Sequence, residues 1–418
     1  MLHILILAAG SAGDVYPFIE IGQELLRRGH AVELVAAEHY RNKVEAAGIG
    51  FISGVSRAQM DAIMADPLLW HPQRGFPTLW KHMGSKMLPL YRELESLLRP
   101  GDTLIVASTL ALTARLAQEL LHTRVATVHL APSCLLSAYD ASLPAGLRWL
   151  KAFPPWAVRT VLNLLERAIL DPLICADLDP CRGALGLPPV RKVLSGWLHS
   201  PERVICAFPD WFAAPQPDWP QNTVCTAFPR LESRPGETLD PALQAFLDAG
   251  PAPIAFTPGS AMAHGRQFFE RALAACAQLG QRAVLVTPFR DQLPAQLPPF
   301  AWHASYVPFD LLLPQVAAFV HHGGIGTSAK VLAAGKPQLV VPFAFDQPDN
   351  AARLIKLGVA ASVAPTAPVR DWVAALAHLL HEPSIHEACR LRAAAIASER
   401  PAASQISDWI EAMETAHA

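Results

Sequence analysis

Residues 321–328, His-His-Gly-Gly-Ile-Gly-Thr-Ser, are the best guide to the architecture of this 418-residue chain. They lie between an apolar run, Ala317–Val320, and a helix-like run, Ser328–Ala334. This order predicts a strand, a glycine-rich turn and the N-terminus of a helix. Such an N-terminus presents unpaired N–H groups and the positive end of the helix dipole, and glycine lets a ligand approach the backbone closely. The segment is therefore typical of a phosphate site.

Two interpretations of these residues are open. The histidines could be core residues of an ordinary tight turn. The three glycines and the following Thr327-Ser328 favour phosphate binding instead. Asp346, Gln347 and Asn350 come just after the next strand, Leu339–Pro342, so they could bind a group attached to the phosphate.

Both halves of the chain open with the same alternation of apolar strands and helices. Alternation at this spacing predicts an α/β fold with parallel sheets and right-handed crossovers. Ligands of such sheets bind beyond the carboxyl ends of the strands. The predicted elements are strand 3–8, helix 17–28 and strand 31–36 in the first half, and strand 253–257, helix 268–279 and strand 283–287 in the second.

Composition narrows the function. The chain has 34 Lys+Arg against 36 Asp+Glu and no basic block, which makes nucleic acid an unlikely partner. Its seven cysteines are scattered, which predicts a reducing cytoplasm, and no Cys or Glu lies at ligand spacing from His321-His322, which argues against a metal site. No apolar run is long enough to cross a bilayer, and Met1–Ala9 is predicted to be a buried strand rather than a signal peptide.

The segment Gly10–Asp14 is too short for a dinucleotide-binding fingerprint, and the chain lacks a P-loop. Asp14 could be a helix N-cap or a general base, and its spacing alone favours the cap. A second ambiguous segment, 66–87, carries large apolar residues between polar ones. It is either an amphipathic helix packed on the core, which the pattern favours, or an apolar wall for an acceptor molecule, lined by Trp70, Phe76, Trp80 and Met83.

These motifs together resemble the donor-binding signature of the family 1 glycosyltransferases. The resemblance rests on Tyr306–Pro308, His321–Thr327, and Pro342 with Asp346-Gln347 and Asn350, and Gly13–Pro17 is similar to the family's N-terminal loop. It implies the GT-B architecture, in which two Rossmann-like domains with parallel sheets face a cleft. The domains expected are an acceptor-binding domain over 1–215, a Pro-rich linker over 216–235, a nucleotide-sugar-binding domain over 236–385, and a helical tail over 386–418 that crosses back to the first domain.

The resemblance also implies roles for single residues. Tyr306 would stack on the nucleobase and the Val307 backbone would meet the base edge, while Asp14 would be the catalytic base. Asp346 and Gln347 would bind the sugar hydroxyls, with Asn350 beside them. The diphosphate would be held by His322, Gly324, Gly326 and Thr327, with His321, Gly323 and Ser260 nearby.

Plant relatives place a Gln and a Glu against the ribose hydroxyls, and this chain has Phe309 and Lys330 there. A pair that binds hydroxyls would be left unsatisfied by a deoxyribose, so its absence fits a dTDP-sugar rather than a UDP-sugar.

Four further blocks, at 10–15, 66–70, 197–201 and 211–221, resemble the rhamnosyltransferases of rhamnolipid synthesis. That resemblance implies transfer of L-rhamnose from dTDP-L-rhamnose to the hydroxyl of a 3-(3-hydroxyalkanoyloxy)alkanoate, with inversion and without a divalent metal or other cofactor. Peripheral association with the inner face of the membrane stays open. The alternatives are a glycosyltransferase for another apolar aglycone (sterol, polyketide or flavonoid) and a non-catalytic nucleotide-sugar-binding partner protein. A sugar-nucleotide epimerase is disfavoured by Asp346-Gln347.

Overall fold

A computed structural model describes residues 1–140, 145–233 and 236–415. The chain divides into two compact units. The first unit comprises Met1–Ile63, Gln73–Pro229 and Arg400–Ala418, and the second comprises Met64–Pro72 and Arg230–Glu399.

The first unit contains a seven-stranded parallel sheet in the order β3-β2-β1-β4-β5-β6-β7. Its central strand, β1, reads His-Ile-Leu-Ile-Leu and is buried along its whole length, as expected for a strand covered on both faces. The strands are β1 His3–Leu7, β2 Ala31–Ala37, β3 Gly50–Val55, β4 Thr103–Ser108, β5 Arg124–His129, β6 Arg203–Cys206 and β7 Thr223–Cys225.

The second unit contains a six-stranded parallel sheet in the order β10-β9-β8-β11-β12-β13. In both sheets the chain order reverses beside the first strand, between β1 and β4 and between β8 and β11, and ligands bind at such switch points. The strands are β8 Ile254–Thr257, β9 Ala283–Val286, β10 Ala301–Ala304, β11 Ala318–His321, β12 Gln338–Val340 and β13 Ala360–Ser362.

Sixteen α-helices in the described residues connect and cover the strands. They are α1 Ala12–Arg27, α2 Arg41–Glu45, α3 Arg57–Ala65, α4 Gly75–Met83, α5 Met87–Leu97, α6 Thr113–Leu121, α7 Pro155–Leu165, α8 Asp171–Ala184, α9 Pro241–Asp248, α10 Arg266–Leu279, α11 Phe309–Leu312, α12 Ile325–Ala333, α13 Gln347–Lys356, α14 Val369–His381, α15 Pro383–Ser398 and α16 Ala402–Thr415.

The last helix belongs to the first unit, where it packs against α1. Arg28, which follows α1, donates to the carboxylates of Asp408 at 2.8 Å and Glu411 at 2.7 Å. His30 bonds the other oxygen of Glu411 at 2.9 Å. A half-buried cluster of ion pairs therefore fixes α16 to the first sheet's covering layer.

Two predicted boundaries need correction. The first helix begins at Ala12 rather than Pro17, because Ser11 and Asp14 form a capping box ahead of the proline. The stretch predicted to be a linker contains β7, a short strand at the sheet edge, where the surrounding prolines do not interrupt its pairing. Residues 234–235 of that stretch and 416–418 of the predicted tail lie outside the described residues.

Candidate active site

Three loops of the second unit meet at one edge of its sheet. His321, the last residue of β11, pairs with Thr257 on β8 and with Val340 on β12. The loops that follow these strands are Pro258–Ser260, His322–Gly324 and Val341–Asp346, so the parallel register brings them together at the carboxyl ends. Ser260 is exposed in the first of these loops.

The two histidines of the central loop differ. His321 is fully buried; its Nδ1 accepts from the Gly323 N–H at 3.1 Å and its Nε2 lies 2.9 Å from Gln338 Oε1. Burial lowers the pKa of His321 to about 4. Its ring thus shapes the turn, and both of its nitrogens bond protein atoms; a role for His321 beside the diphosphate stays a prediction.

His322 lies against the glycines instead of the core. A Cβ at Gly324 would fall 2.5 Å from the His322 Nε2, and one at Gly259 would fall 2.9 Å from its Cε1. Gly259 also has φ +102°, a conformation that other residues rarely adopt. The His322 Nδ1 is buried and has no hydrogen-bond partner among the described residues, and burial lowers the pKa of this ring to about 3.

The N-terminus of α12 opens beside this ring. The Ser328 N–H makes the first helical bond, to the Gly324 carbonyl at 3.0 Å. The N–H groups of Ile325, Gly326 and Thr327 come before it, and no described residue accepts from them. Gly326 has open space where a side chain would begin. Bare N–H groups, a helix dipole and room for close approach form an anion site.

Asn350 and Gln347 brace this site from α13. The Asn350 Nδ2 donates to the Gly323 carbonyl at 2.9 Å and to Asp346 Oδ2 at 2.7 Å, so it ties the glycine turn to the Asp346 loop. The Gln347 Oε1 accepts from the N–H groups of Phe343 at 2.8 Å and Ala344 at 3.1 Å. Both side chains are buried, and through these atoms they hold the loops together. The donor-binding roles of Gln347 and Asn350 stay predictions.

The residues predicted at the nucleobase and ribose lie on the same unit. Tyr306 is exposed after β10, whereas the Val307 side chain is part of the core, which leaves only its backbone for a ligand. Phe309 packs edge-on against Phe319, with ring centroids 5.1 Å apart. The Lys330 Nζ donates to the Leu231 carbonyl at 2.6 Å.

In the first unit, Asp14 is the third residue of α1. Its Oδ2 accepts from the Ser11 N–H at 2.7 Å and the Ser11 hydroxyl at 2.9 Å, so Ser11 is the N-cap and Asp14 completes a capping box. Burial raises the pKa of Asp14 above its usual range, against the lowering effect of the Ser11 bonds. Its carboxylate covers Gly10, where an added Cβ would lie 2.6 Å from the Asp14 Cγ.

A second group of polar residues lies at the same edge of this sheet. The Thr109 hydroxyl is 3.0 Å from His129 Nδ1, and His129 Nε2 is 2.9 Å from His199 Nδ1. Both histidines are buried, and burial lowers both pKa values, that of His199 to about 4. This group was not predicted from the sequence, because its members are 20 and 70 residues apart in the chain. The available signal was polar residues at the ends of two apolar strands.

Comparison with known proteins identifies the family. The glycosyltransferase family 28 N-terminal domain matches residues 4–83, and the erythromycin biosynthesis protein CIII-like C-terminal domain matches residues 270–413. O-mycaminosyltylonolide 6-deoxyallosyltransferase from Streptomyces fradiae is 31% identical over 433 residues, which cover 100% of this chain and 99% of that protein. The chain belongs to this glycosyltransferase family.

Solved structures of glycosyltransferases share its fold. The glycosyltransferase of kitacinnamycin has a TM-score of 0.70 at 22% identity, covering 99% of this chain and 98% of that one. The spinosyn rhamnosyltransferase SpnG, complexed with thymidine diphosphate, has a TM-score of 0.66 at 19% identity, covering 98% and 99%. The predicted α/β, GT-B fold of this glycosyltransferase is thereby confirmed.

The residues predicted to form an acceptor wall in the glycosyltransferase do not all belong to one unit. Trp80 is 3% exposed, stacks on Phe76 and donates through Nε1 to Asp177 at 3.0 Å, so the alternative of an amphipathic helix on the core describes both aromatic residues. Met83, at the end of the same helix, is half-buried. Trp70 belongs to the second unit, where its ring packs edge-on against Phe345 at 6.2 Å.

Two further observations concern the whole described part of the glycosyltransferase. It contains no cluster of His, Cys, Asp or Glu with the arrangement of a metal site. Within the same residues, no helix has both the length and the apolar composition needed to cross a membrane. The cytoplasmic location stays a prediction.

Proposed function

We propose that this glycosyltransferase moves a 6-deoxyhexose from a dTDP-linked donor to a hydroxyl of an apolar aglycone. The part of the proposal that concerns the nucleotide-sugar donor rests on the α12 N-terminus. There, three N–H groups and the His322 Nδ1 lie side by side, and the described residues supply no hydrogen-bond partner for any of them. A diphosphate would accept from these N–H groups, and its charge would be stabilised by the helix dipole. A neutral His322 with its proton on Nδ1 would add one more donor.

A thymidine nucleotide fits the ribose side better than a uridine nucleotide. Phe309 packs against an aromatic ring and Lys330 bonds the Leu231 carbonyl, so no acidic or amide side chain is offered to a 2′-hydroxyl from these two positions. The Streptomyces fradiae relative is a 6-deoxyallosyltransferase, and SpnG is a rhamnosyltransferase complexed with thymidine diphosphate. Both sugars are 6-deoxyhexoses, which supports that class of donor.

Asp14 is the proposed base, in the manner of the family 1 enzymes that the sequence resembles. A pKa raised by burial suits a base, because a carboxylate of higher pKa binds the proton of an attacking hydroxyl more strongly. That hydroxyl oxygen forms the bond to the anomeric carbon as the carbon–diphosphate bond breaks, with inversion in a single displacement. The bond's electron pair leaves with the diphosphate, whose charge the α12 N-terminus stabilises, so no divalent metal is required.

Two acceptor classes remain candidates. The relatives favour a polyketide aglycone, since one is named for O-mycaminosyltylonolide and another for spinosyn. The four sequence blocks that resemble the rhamnosyltransferases of rhamnolipid synthesis favour a hydroxyalkanoyloxyalkanoate lipid with dTDP-L-rhamnose. A competition between a macrolactone that bears two neighbouring hydroxyls and 3-(3-hydroxydecanoyloxy)decanoate, with dTDP-L-rhamnose as donor, distinguishes them.

The donor proposal is tested by thermal shift with dTDP, UDP and GDP. A ligand that binds only the folded chain at a hundredfold excess over its Kd adds about 2.7 kcal/mol to the unfolding free energy. We expect dTDP to raise Tm more than UDP does, and no dependence of transfer on EDTA. Equal shifts with dTDP and UDP would contradict the ribose argument, and an absolute Mg²⁺ requirement would contradict the metal-free mechanism.

A further inference from the structure

The last two strands of the first sheet each end in a cysteine. Cys206 is the last residue of β6, Cys225 is the last residue of β7, and the two are partners in the parallel register. Neighbouring strands lie about 4.8 Å apart, and residues paired in parallel strands project from the same face of the sheet. In the strand registers of residues 1–140, 145–233 and 236–415, no other cysteine is paired with a cysteine.

This spacing permits a disulfide without movement of the backbone. Disulfides join cysteines whose Cα atoms lie roughly 4.4–6.8 Å apart. Backbone hydrogen bonds hold both strand ends in place: the Thr226 N–H donates to the Cys206 carbonyl at 3.0 Å, and the Ala207 N–H donates to the His129 carbonyl at 2.8 Å. Because Thr226 follows Cys225 directly, β7 is held against β6 at the point where the two cysteines meet.

The two thiols differ in access. Cys206 is fully buried, whereas Cys225 is half-buried on a strand that has only one neighbour in the sheet. Burial raises the pKa of the Cys206 thiol, while contact with Cys206 lowers the pKa of the Cys225 thiol. An accessible thiol of lowered pKa reacts with peroxides, and an adjacent thiol resolves the product. In a reducing compartment such a disulfide is transient and reports the presence of an oxidant.

We propose that Cys206 and Cys225 are a site of reversible disulfide modification by hydroperoxides. The Cys225 sulfur attacks one oxygen of hydrogen peroxide, the O–O bond breaks, and water leaves with the thiol proton, so that Cys225 becomes a sulfenic acid. The Cys206 sulfur then attacks the Cys225 sulfur, the S–O bond breaks, and a second water leaves with the Cys206 proton. Two thiols are thus oxidised to one disulfide, one peroxide is reduced to two waters, and a dithiol reverses the change by exchange.

The disulfide would join the edge strand β7 to the sheet and close the loop 207–224. This loop carries Asp218, whose carboxylate accepts from the Ser137 hydroxyl and from the Ala138 N–H, each at 2.7 Å. The modification would therefore stabilise β7 and the loop that holds the segment after β5. It does not depend on the proposed function, because it involves neither Asp14 nor the N-terminus of α12.

The test treats the folded, reduced protein with hydrogen peroxide, blocks the remaining thiols with iodoacetamide and maps the peptides. Trypsin releases residues 204–230 as one peptide that contains both cysteines. We expect this peptide to be lighter by two hydrogens and to carry no blocking group, and its two parts to stay joined after chymotrypsin cleaves at Phe212. Dithiothreitol should restore both thiols. The oxidised protein should have a higher Tm than the reduced protein, because a disulfide restricts the unfolded chain.

Cys225→Ser and Cys206→Ala should each abolish the joined peptides and the difference in Tm. Cys134→Ser is the matched control, because Cys134 is also half-buried in the first unit but lies outside the strands, so its loss should change neither result. A disulfide between Cys134 and Cys206, oxidation of Cys225 to a sulfinic acid while Cys206 stays free, or a joined peptide that forms only in denaturant would each overturn the proposal. The peptide map of wild type decides the matter if a variant does not fold.

Discussion

The carboxyl edges of the two sheets have the same topology and opposite chemistry. In the second unit the edge presents glycine backbone, three N–H groups and a histidine nitrogen, for none of which the described residues supply a hydrogen-bond partner. In the first unit the edge presents side chains that already bond one another: Ser11 with Asp14, and Thr109 with His129 and His199. Donors without acceptors suit a diphosphate, whereas a buried carboxylate suits the proton of an incoming alcohol.

Both edges nevertheless use the same device, a buried neutral histidine, to shape the loop after a strand. His321 accepts from the glycine turn of the second unit, and His129 bonds the Thr109 hydroxyl of the first. The two loops differ in the residue that the histidine contacts. In the second unit this residue is a glycine, which lets an anion approach the backbone, and in the first unit it is a threonine, which has a side-chain hydroxyl.

The largest effect is expected for Asp14→Asn, which removes the base and keeps the shape. Loss of a general base lowers turnover by about 10²–10⁴-fold. Donor binding should be unchanged, since the proposed dTDP site is in the second unit. The measurement is kcat for transfer together with the thermal shift by dTDP.

Ser11→Ala is the matched control for that variant. It removes the hydroxyl bond to Asp14 Oδ2 and keeps the backbone bond, so the base remains. Because that hydroxyl bond lowers the pKa of Asp14, the acid limb of the pH–rate profile should move to higher pH while transfer persists. Near-normal kcat in Asp14→Asn would remove Asp14 from the mechanism.

Acid should destabilise both units through their buried histidines. The folded pKa is about 4 for His199 and for His321, below the ordinary value of 6.5, so the unfolded chain binds more protons between these limits. The free energy of unfolding is therefore highest above pH 6.5 and decreases as pH falls toward 4. At pH 5 each of these histidines lowers it by about 2 kcal/mol. Asp14, with a raised pKa, acts in the opposite direction. The check is the unfolding free energy from denaturant titrations at pH 7 and pH 5.

The control for the acid effect is His381→Gln, at an exposed position at the end of α14. Its pH dependence should match that of wild type. The loss of unfolding free energy between pH 7 and pH 5 should be smaller in His321→Asn, because asparagine does not titrate. That variant should also be less stable than wild type at every pH, because the Gly323 N–H loses its acceptor. An unchanged slope in His321→Asn would mean that folding does not lower the pKa of His321.

Gly324→Ala should weaken the donor site by crowding His322. The new Cβ would lie 2.5 Å from the ring nitrogen, so the ring or the helix start must shift. Such overpacking costs about 1–3 kcal/mol. We expect a loss of dTDP affinity in calorimetry that Gly324→Ala shares with His322→Ala, and transfer kinetics in which KM for the donor rises. A dTDP affinity equal to that of wild type in both variants would place the diphosphate elsewhere.

Much of this architecture was predictable because the strands are local apolar runs. The strands at 3–8, 31–36, 253–257 and 283–287 were each found within one residue of their observed ends. The glycine-rich stretch also indicated its site, since glycines, a helix start and a preceding strand are all adjacent in the chain. The Ser-x-x-Asp spacing at 11–14 fits a capping box and could have given the true start of α1.

The direction of each side chain could not be predicted in the same way. His321 and His322 are neighbours in the chain, yet the His321 ring lies against Gln338 and the His322 ring lies against the glycines. Whether Gln347 meets a sugar or braces a loop depends on backbone N–H groups at Phe343 and Ala344. The contacts of Thr109, His129 and His199 depend on three segments brought together only by the sheet order.

The smallest effect is expected for Gly326→Ala, and it distinguishes folding from binding. Gly326 has room for a methyl group inside α12, and alanine in a helix is more favourable than glycine by about 0.5–1 kcal/mol. The free protein should therefore become slightly more stable, while dTDP raises Tm less than in wild type, because the methyl group occupies the space that the diphosphate would approach. The matched control is Gly183→Ala in α8, which also has open space and should add stability without changing the dTDP shift. A full dTDP shift in Gly326→Ala would mean that the bare N–H groups of α12 do not hold the diphosphate.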